Sequence, residues 1–320
     1  MDDKILQIDN LKKYFPLRNG LVVKAVDDVS LRLGVGETLG LVGESGSGKS
    51  TIAYVLIGMY EATSGKVFYK GEEILRNGLR RTLKQKSEIQ IVFQDPGSSL
   101  NPKRTIRQSL SVPLRIHSRG SSNQSLNEQV DSLLEEVELP RDFADKYPTA
   151  LGGGERQLVS VARALAANPS LIILDEPTSA LDVSIQAKVI SKLIDLQREK
   201  SLSYLFITHD LSLMRNVADR VAILYLGRLC EQAPAAEFFE NPLHPYTKML
   251  LSSIPVVTLE EENMKPAKIR SSGEIPSPVN VPPGCAFHMR CRDKMPVCEL
   301  ERPVMREVSR GHEVCCHLEI

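Results

Sequence analysis

No stretch of this 320-residue chain approaches the ~18 consecutive apolar residues that a membrane-spanning helix needs, so a helical membrane span is excluded. Neither sign of charge is in excess. Forty basic residues stand against forty acidic ones, and nothing global suggests a polyanionic partner, which argues against a nucleic-acid machine. The opening Met1-Asp-Asp-Lys-Ile5 has neither the basic nor the apolar region of a signal peptide, and the expectation is a protein kept in the cytosol. Cysteine is nearly missing until the end: after Cys230 come Cys285, Cys291, Cys298, Cys315 and Cys316, all within the last 36 residues. In a reducing compartment such a cluster suggests metal rather than disulfides.

What the chain does have is strand alternating with helix. Ile5–Leu11, Val22–Val26, Ser30–Leu33 and Thr38–Val42 read as short strands, with a turn at Gly34–Gly36 and a further strand at Gly65–Tyr69. Arg76–Lys86 reads as a solvated helix, and a strand at Ile89–Phe93 leads into Gln94-Asp-Pro96. From about 97 to 165 the pattern is helical, with a polar loop at Ser118–Ser125 and apolar positions at Val130, Leu133, Leu134 and Val137. Leu171–Leu174 is a buried parallel strand by its continuity. A helix at Ile185–Glu199 and strands at Ser203–Thr208 and Val221–Tyr225 follow. This alternation argues an α/β core with a helical insertion. Beyond about 235 proline accumulates, at Pro276, Pro278, Pro282 and Pro283, and periodicity fades. The expected domains are 1–235 and a separate, irregular appendage at 236–320.

Between the strand Thr38–Val42 and the apolar helix pattern that begins at Thr51 lies Gly43-Glu44-Ser45-Gly46-Ser47-Gly48-Lys49-Ser50. Strand, glycine loop and helix are the setting of a phosphate-binding P-loop. Its glycines let backbone amides close around phosphate oxygens, and the helix N-terminus adds positive potential. Lys49 is placed to reach the β- and γ-phosphates of a nucleoside triphosphate and Ser50 to hold magnesium. Downstream, Asp175 and Glu176 end a buried strand. Adjacent strand residues point to opposite sides, so the two carboxylates are expected to do different work. Asp175 can hold magnesium through its water shell, and Glu176 can polarise an attacking water.

With these motifs in this order, the chain resembles the nucleotide-binding subunit of an ATP-binding cassette (ABC) transporter over nearly its whole length. The resemblance implies an α/β P-loop NTPase fold of the ABC ATPase type. That fold has a RecA-like core, an antiparallel β subdomain and a helical subdomain at about 97–165, joined here by the small C-terminal domain. Gly43–Thr51 matches Walker A, with Gly43, Ser45, Gly46, Ser47, Gly48, Lys49, Ser50 and Thr51 on ATP; Leu171–Glu176 matches Walker B. Gln94 matches the Q-loop glutamine that senses magnesium alongside Ser50 and Asp175, Ser179–Asp182 the D-loop, and His209 the switch histidine at the γ-phosphate. Phe15 stands where the family stacks an aromatic ring on adenine.

The signature motif departs from the family pattern. Leu-Ser-Gly-Gly-Gln is replaced by Leu151-Gly152-Gly153-Gly154-Glu155, followed by a well-matched Arg156-Gln157 and Ala162–Leu165. In an ABC dimer each nucleotide lies between one subunit's Walker A and the other's signature. Gly152 has no hydroxyl for the γ-phosphate, although its amide and those after it can still donate, and Glu155 brings a carboxylate near a polyanion. Both changes are expected to weaken the site on the partner's Walker A. The alternative is that Gly152 is tolerated and both sites turn over.

Asn241–Thr247, with its His244-Pro-Tyr246 core, resembles an element of the ATPases that serve oligopeptide, dipeptide and nickel importers, and Gln94–Pro102 matches the stretch after the Q-loop in that branch apart from Gly97, where a larger residue is usual. Soft thiolates at the spacing of Cys285, Cys291, Cys298 and Cys316 suit zinc or an iron–sulfur cluster. The lack of Cys-x2-Cys knuckles favours iron–sulfur, and the branch resemblance implies a 4Fe–4S cluster on these four. His288, His312 and His317 are possible substitute ligands, free thiols pinning a loop-rich tail are the plain alternative, and Cys230 is expected to be simply buried.

The implied function is ATP hydrolysis, with magnesium, driving uptake of peptides or a related solute. The implied partners are a second ATPase with an intact signature, two transmembrane permeases and an extracytoplasmic solute-binding protein, with this chain peripheral on the cytoplasmic face. Two rivals are a mainly regulatory ATP-binding subunit and a soluble ABC ATPase not tied to transport. The second usually carries two cassettes, long coiled coils or a basic surface, and none of these is visible.

Overall fold

The computed structural model describes residues 4–18, 20–75, 81–117, 125–254, 269 and 273–319. In chain order come β1 (Lys4–Pro16), β2 (Val22–Gly34), β3 (Thr38–Val42), α1 (Lys49–Leu56), β4 (Ser64–Tyr69), β5 (Glu72–Glu73), α2 (Leu83–Glu88) and β6 (Ile89–Val92). Then follow α3 (Pro96–Ser99), α4 (Ile106–His117), α5 (Leu126–Glu136), α6 (Gly153–Leu165), β7 (Leu171–Asp175), α7 (Val183–Lys200), β8 (Ser203–Thr208) and α8 (Leu211–Val217). The chain continues with β9 (Arg220–Tyr225), β10 (Arg228–Pro234), α9 (Ala235–Glu240), α10 (Pro245–Ser252), β11 (Arg306–Ser309) and β12 (His312–Val314). Contacts group the described residues into two units, one from Met1–Ile5, Gly34–Glu37 and Leu79–Phe206, the other from Leu6–Leu33, Thr38–Gly78 and Ile207–Ile320.

In the first unit, β6 and β7 pair in parallel, Ile89 opposite Leu171 and Val92 opposite Leu174. Every residue of β7 is buried, as a parallel strand covered on both faces requires. The helical segment starts each of its main helices with a local signal. Ser125 accepts from the Glu128 amide while the Glu128 carboxylate takes the Ser125 amide, a capping box that opens α5. The same reciprocal pair, Thr82 with Gln85, opens α2. That helix buries none of its residues, but it starts at Leu83 and Arg81, inside the segment expected to be a solvated helix, is buried; residues 76–80 of that segment lie outside the described residues, as do residues 118–124 of the expected polar loop.

In the second unit, β3 runs parallel to β9, Leu39 opposite Arg220 and Val42 opposite Ile223, and β9 pairs antiparallel with β10. A separate antiparallel sheet has the order β2-β1-β4-β5. Val22–Val26 and Ser30–Leu33, expected as two strands, are one, because the charged pair between them does not break it. Asp27 is buried and accepts from the Tyr14 hydroxyl and from Nε and Nη2 of Arg228, at 2.5, 2.9 and 2.5 Å. Those partners hold its carboxyl below its ordinary pKa although burial pushes the other way.

The tail is more regular than its sequence suggests. β12 adds to β10, Glu231 opposite Val314, and β11 pairs with β12. The Glu231 carboxylate is fully buried and accepts from the Leu243 and His244 amides at 2.8 and 2.9 Å, and it lies 2.8 Å from Nε2 of His312. This one acid ties β10, the turn before α10 and β12 together. His244 itself caps α10, its Nδ1 accepting from the Tyr246 amide at 3.0 Å. Cys230 lies within β10 and is buried, as expected.

Candidate functional site

The P-loop lies in the second unit. β3 delivers the chain into Gly43, where a Cβ would stand 2.2 Å from the Leu224 carbonyl oxygen. At Gly48, in the left-handed region at φ +106°, a Cβ would stand 2.1 Å from the Ala25 carbonyl oxygen. Glycine is required at both positions by contact with neighbouring backbone. Gly46 is different: its φ is +77° and nothing lies within 4 Å of its would-be Cβ. It borders open space, the cradle a phosphate needs. Lys49 is 4% exposed, and its Nζ donates to the carbonyls of Gly43 and Glu44 at 2.7 and 3.0 Å. The lysine is thus held across the loop mouth. Ser47 Oγ is buried without a hydrogen-bond partner, and no side chain caps the start of α1. A buried, unpartnered hydroxyl beside an open cradle at a helix N-terminus fits a triphosphate. Ser50 and Thr51 follow in the first turn of α1, both half-buried, and Ser45 is exposed.

Phe15, half-buried, meets Tyr60 edge-on at 5.2 Å, with Lys13 Nζ 4.6 Å from its ring centre. His209 is exposed directly after β8, and Asp210 caps α8 by accepting from the Ser212 amide at 2.9 Å.

Asp175, Glu176 and Gln94 lie in the first unit. Asp175, the last residue of β7, is 1% exposed. Glu176 does not sit on the opposite face of the strand, as alternation predicts. Its φ is +48°, so the chain leaves the strand there in a left-handed conformation that is costly for a residue with a Cβ. Ser179 then closes a turn on the Glu176 carbonyl, its hydroxyl donating at 3.2 Å. That turn aims Glu176 at Gln94, whose Nε2 donates to Oε2 at 3.1 Å. Two expected catalytic residues, 82 positions apart in sequence, are therefore in direct contact. After Gln94, Asp95 caps α3 through the Gly97 and Ser98 amides at 2.7 and 3.2 Å. A Cβ at Gly97 would come 3.0 Å from that carboxylate, so the small residue favours the cap.

The signature lies at the start of α6, where Gly152 is the N-cap residue and Leu151 is buried. One expectation needs correction. The Gly152 amide is not available to a phosphate, because it donates to Glu155 Oε2 at 2.7 Å. Glu155 folds back as half of a capping box, occupying the amide and placing its charge at the helix N-terminus. Gly154 packs on α7: a Cβ there would meet Ile185 Cγ2 at 2.2 Å, and one at Gly153 would meet Leu181 at 3.1 Å.

In the tail, the amide of Cys285 donates to the Cys298 carbonyl at 2.9 Å and that of Cys315 to the Cys230 carbonyl at 2.8 Å. Burial raises the thiol pKa of Cys285 and Cys316 and lifts Cys291 to about 11, with the other thiolates adding to the shift. Among the described residues, however, no three His, Cys, Asp or Glu side chains are arranged to hold a metal ion. His312 is no substitute ligand, since Glu231 and Glu237 take its two nitrogens. His288 Nδ1 lies 2.8 Å from the Cys285 carbonyl, and His317 Nε2 lies 2.9 Å from that of Glu301.

Residues 26–179 match the ABC transporter family, and residues 230–298 match the C-terminal region of oligopeptide/dipeptide transporters. Among solved structures, the dimeric ATP-binding cassette MJ0796 bound to ADP and Pi superposes with a TM-score of 0.64 at 28% identity, covering 72% of this chain and 98% of that one. The fold is that of the ABC ATPases. The oligopeptide transport ATP-binding protein AppF of Bacillus subtilis is 47% identical over 99% of this chain and 98% of its own length. OppF of Escherichia coli, also an oligopeptide transport ATP-binding protein, is 44% identical over 98% and 95%. DppF of Escherichia coli, a dipeptide transport ATP-binding protein, is 41% identical over 99% and 95%. The chain belongs to the oligopeptide/dipeptide branch of the ABC transporter ATP-binding subunits, and it is an ATPase.

Among the described residues no helix is long and apolar enough to cross a membrane.

Proposed function

We propose that this chain hydrolyses ATP to drive uptake of oligopeptides or dipeptides, working on the cytoplasmic face with two transmembrane permeases, an extracytoplasmic solute-binding protein and a second ATPase. The hydrogen bond from Gln94 to Glu176 carries the catalytic reading, because it holds a carboxylate in a strained, directed position beside a polar sensor. The peptide cargo is supported by the relatives, which are oligopeptide and dipeptide transport ATP-binding proteins. Lys49 and His209 bind and orient the γ-phosphate, and the loop amides of Gly43–Ser50 enclose the phosphates. Ser50, Asp175 and Gln94 would hold magnesium, which supplies charge neutralisation between the β- and γ-phosphates. Glu176 takes the proton of the attacking water as the water adds to the γ-phosphorus and the bond to the ADP oxygen breaks. Phe15 stacks on adenine.

The occupied Gly152 amide supports a heterodimer of unequal sites, in which the partner's Walker A receives the weaker signature. Reconstituted with its permeases, binding protein and partner ATPase in liposomes, the chain should give peptide-dependent ATP hydrolysis and uptake. The double variant Gly152→Ser, Glu155→Ala removes the side chain that occupies the amide and restores a hydroxyl. There is room for it, since a Cβ at position 152 meets nothing closer than Glu155 Oε2 at 3.5 Å. Two working sites should raise turnover of the complex about twofold, since each site then contributes equally. Unchanged turnover, or a homodimer of this chain with full activity on its own, would refute the unequal-site reading.

The spacing of four soft thiolates supports a 4Fe–4S cluster on Cys285, Cys291, Cys298 and Cys316, with zinc as the alternative. Protein purified without oxygen should be brown, with broad visible absorbance that is lost in Cys298→Ala. Colourless protein with stoichiometric zinc would select the alternative, and metal-free protein would remove both.

A further inference from the structure

Glu44, the second residue of the P-loop, is held at both ends by the tail. Its carboxylate receives a two-pronged contact from Arg290, Nη1 to Oε2 at 2.8 Å and Nη2 to Oε1 at 3.0 Å. The Arg290 side chain is 7% exposed. Its guanidinium lies 5.7 and 5.8 Å from the ring centres of Tyr225 and Phe287, and Nη1 reaches the Tyr225 hydroxyl at 3.5 Å. At the other end, the Glu44 amide donates to the hydroxyl of Tyr246 at 3.3 Å. Tyr225, Tyr246 and Phe287 pack on one another with ring centres 4.7, 5.3 and 5.2 Å apart, so the clamp is mounted on a rigid aromatic cluster. The third polar group of Glu44, its carbonyl, accepts from Lys49. One residue thus joins the lysine that grips phosphate to an arginine of the tail.

An unpaired carboxylate in a loop built for a polyanion would repel it. The arginine fork neutralises that charge and fixes its direction at once, as a planar bidentate donor can and an ammonium cannot. We infer that Arg290 is a positioning residue for ATP, setting the P-loop through Glu44 and making the cysteine-bearing tail a determinant of nucleotide affinity. The inference rests on the ATPase reading for its kinetic arm only.

The test uses the full chain and the assembled complex. Direct binding of a fluorescent ATP analogue to Arg290→Ala should weaken about tenfold, the size of one charge-assisted contact. In the complex the KM for ATP should rise similarly while kcat stays within about twofold. Arg290→Lys should recover part of the affinity, because it keeps the charge and loses the fork. Adding Glu44→Gln to Arg290→Ala should recover affinity, because the repelling charge has gone. A merely structural arginine would lower thermal stability without this KM-against-kcat split, and its loss would not be rescued by neutralising Glu44. If Arg290→Ala does not fold, Arg290→Lys, with Arg290→Lys, Glu44→Gln beside it, carries the same comparison. Unchanged ATP affinity in every folded variant at position 290 would overturn the inference. Wild-type protein that binds but does not hydrolyse ATP would instead count against the ATPase reading, leaving the binding arm intact.

Discussion

Glu176→Gln should lower hydrolysis at this chain's own Walker A by roughly 100- to 10,000-fold, the range for loss of a positioned general base, with ATP binding retained. Glutamine matches glutamate in shape, and its amide oxygen can still accept from Gln94 Nε2, now 3.1 Å from Oε2. It can also adopt the left-handed φ of +48° at little additional cost. What is lost is the capacity to take a proton. Single-turnover hydrolysis by the assembled complex measures the effect. The complex should keep only the turnover at the partner's Walker A, the site completed by Gly152 and Glu155. A complex that hydrolyses ATP as before would favour the rival reading of a mainly regulatory subunit.

The strands legible in the sequence are those whose burial is forced on both faces. β3, β7 and β8 carry unbroken buried stretches, and no other local structure accommodates such short apolar runs so well. β2 was expected as two strands because Asp27 and Asp28 interrupt its pattern, and in water two adjacent carboxylates would end it. The strand continues because Arg228 lies 201 residues away in sequence with a guanidinium for Asp27, and no local pattern announces such a partner. β12 is three residues long. It is a strand because β10 offers an edge, not because His312-Glu-Val314 prefers one.

The same division runs through the site. Walker A, Walker B and the glutamine after β6 are read from residue type at fixed spacing, because a phosphate cradle is local backbone. The Glu155 cap was missed, although Gly152 and Glu155 stand three apart at a helix start, where a carboxylate turns back on the N-cap amide. Residue type alone had suggested an available amide there. The contact between Arg290 and Glu44 spans 246 residues and leaves no trace in either segment. It comes into view only when the tail folds onto the end of β3.

Gly48→Ala should cost ATP affinity about 100-fold or more, the loss of several charge-assisted amide contacts at once, and should lower thermal stability as well. Two separate strains act at this position. A left-handed φ of +106° is costly for any residue with a Cβ, and the new methyl would stand 2.1 Å from the Ala25 carbonyl oxygen and 3.5 Å from the Gly227 Cα. The first strain alone is worth about 1–2 kcal/mol. The second is removed only if the loop moves off β2 by more than an ångström, which opens the cradle that Ser47 and Lys49 share. Gly71→Ala separates the two. Its φ is +80° and nothing lies within 4 Å of the new Cβ, so it carries the backbone strain without the displacement. Thermal melting of both variants should therefore fall, while binding of a fluorescent ATP analogue should collapse only in Gly48→Ala. If Gly48→Ala bound the analogue as tightly as Gly71→Ala, the close approach of Gly48 to Ala25 would not be what shapes the phosphate cradle.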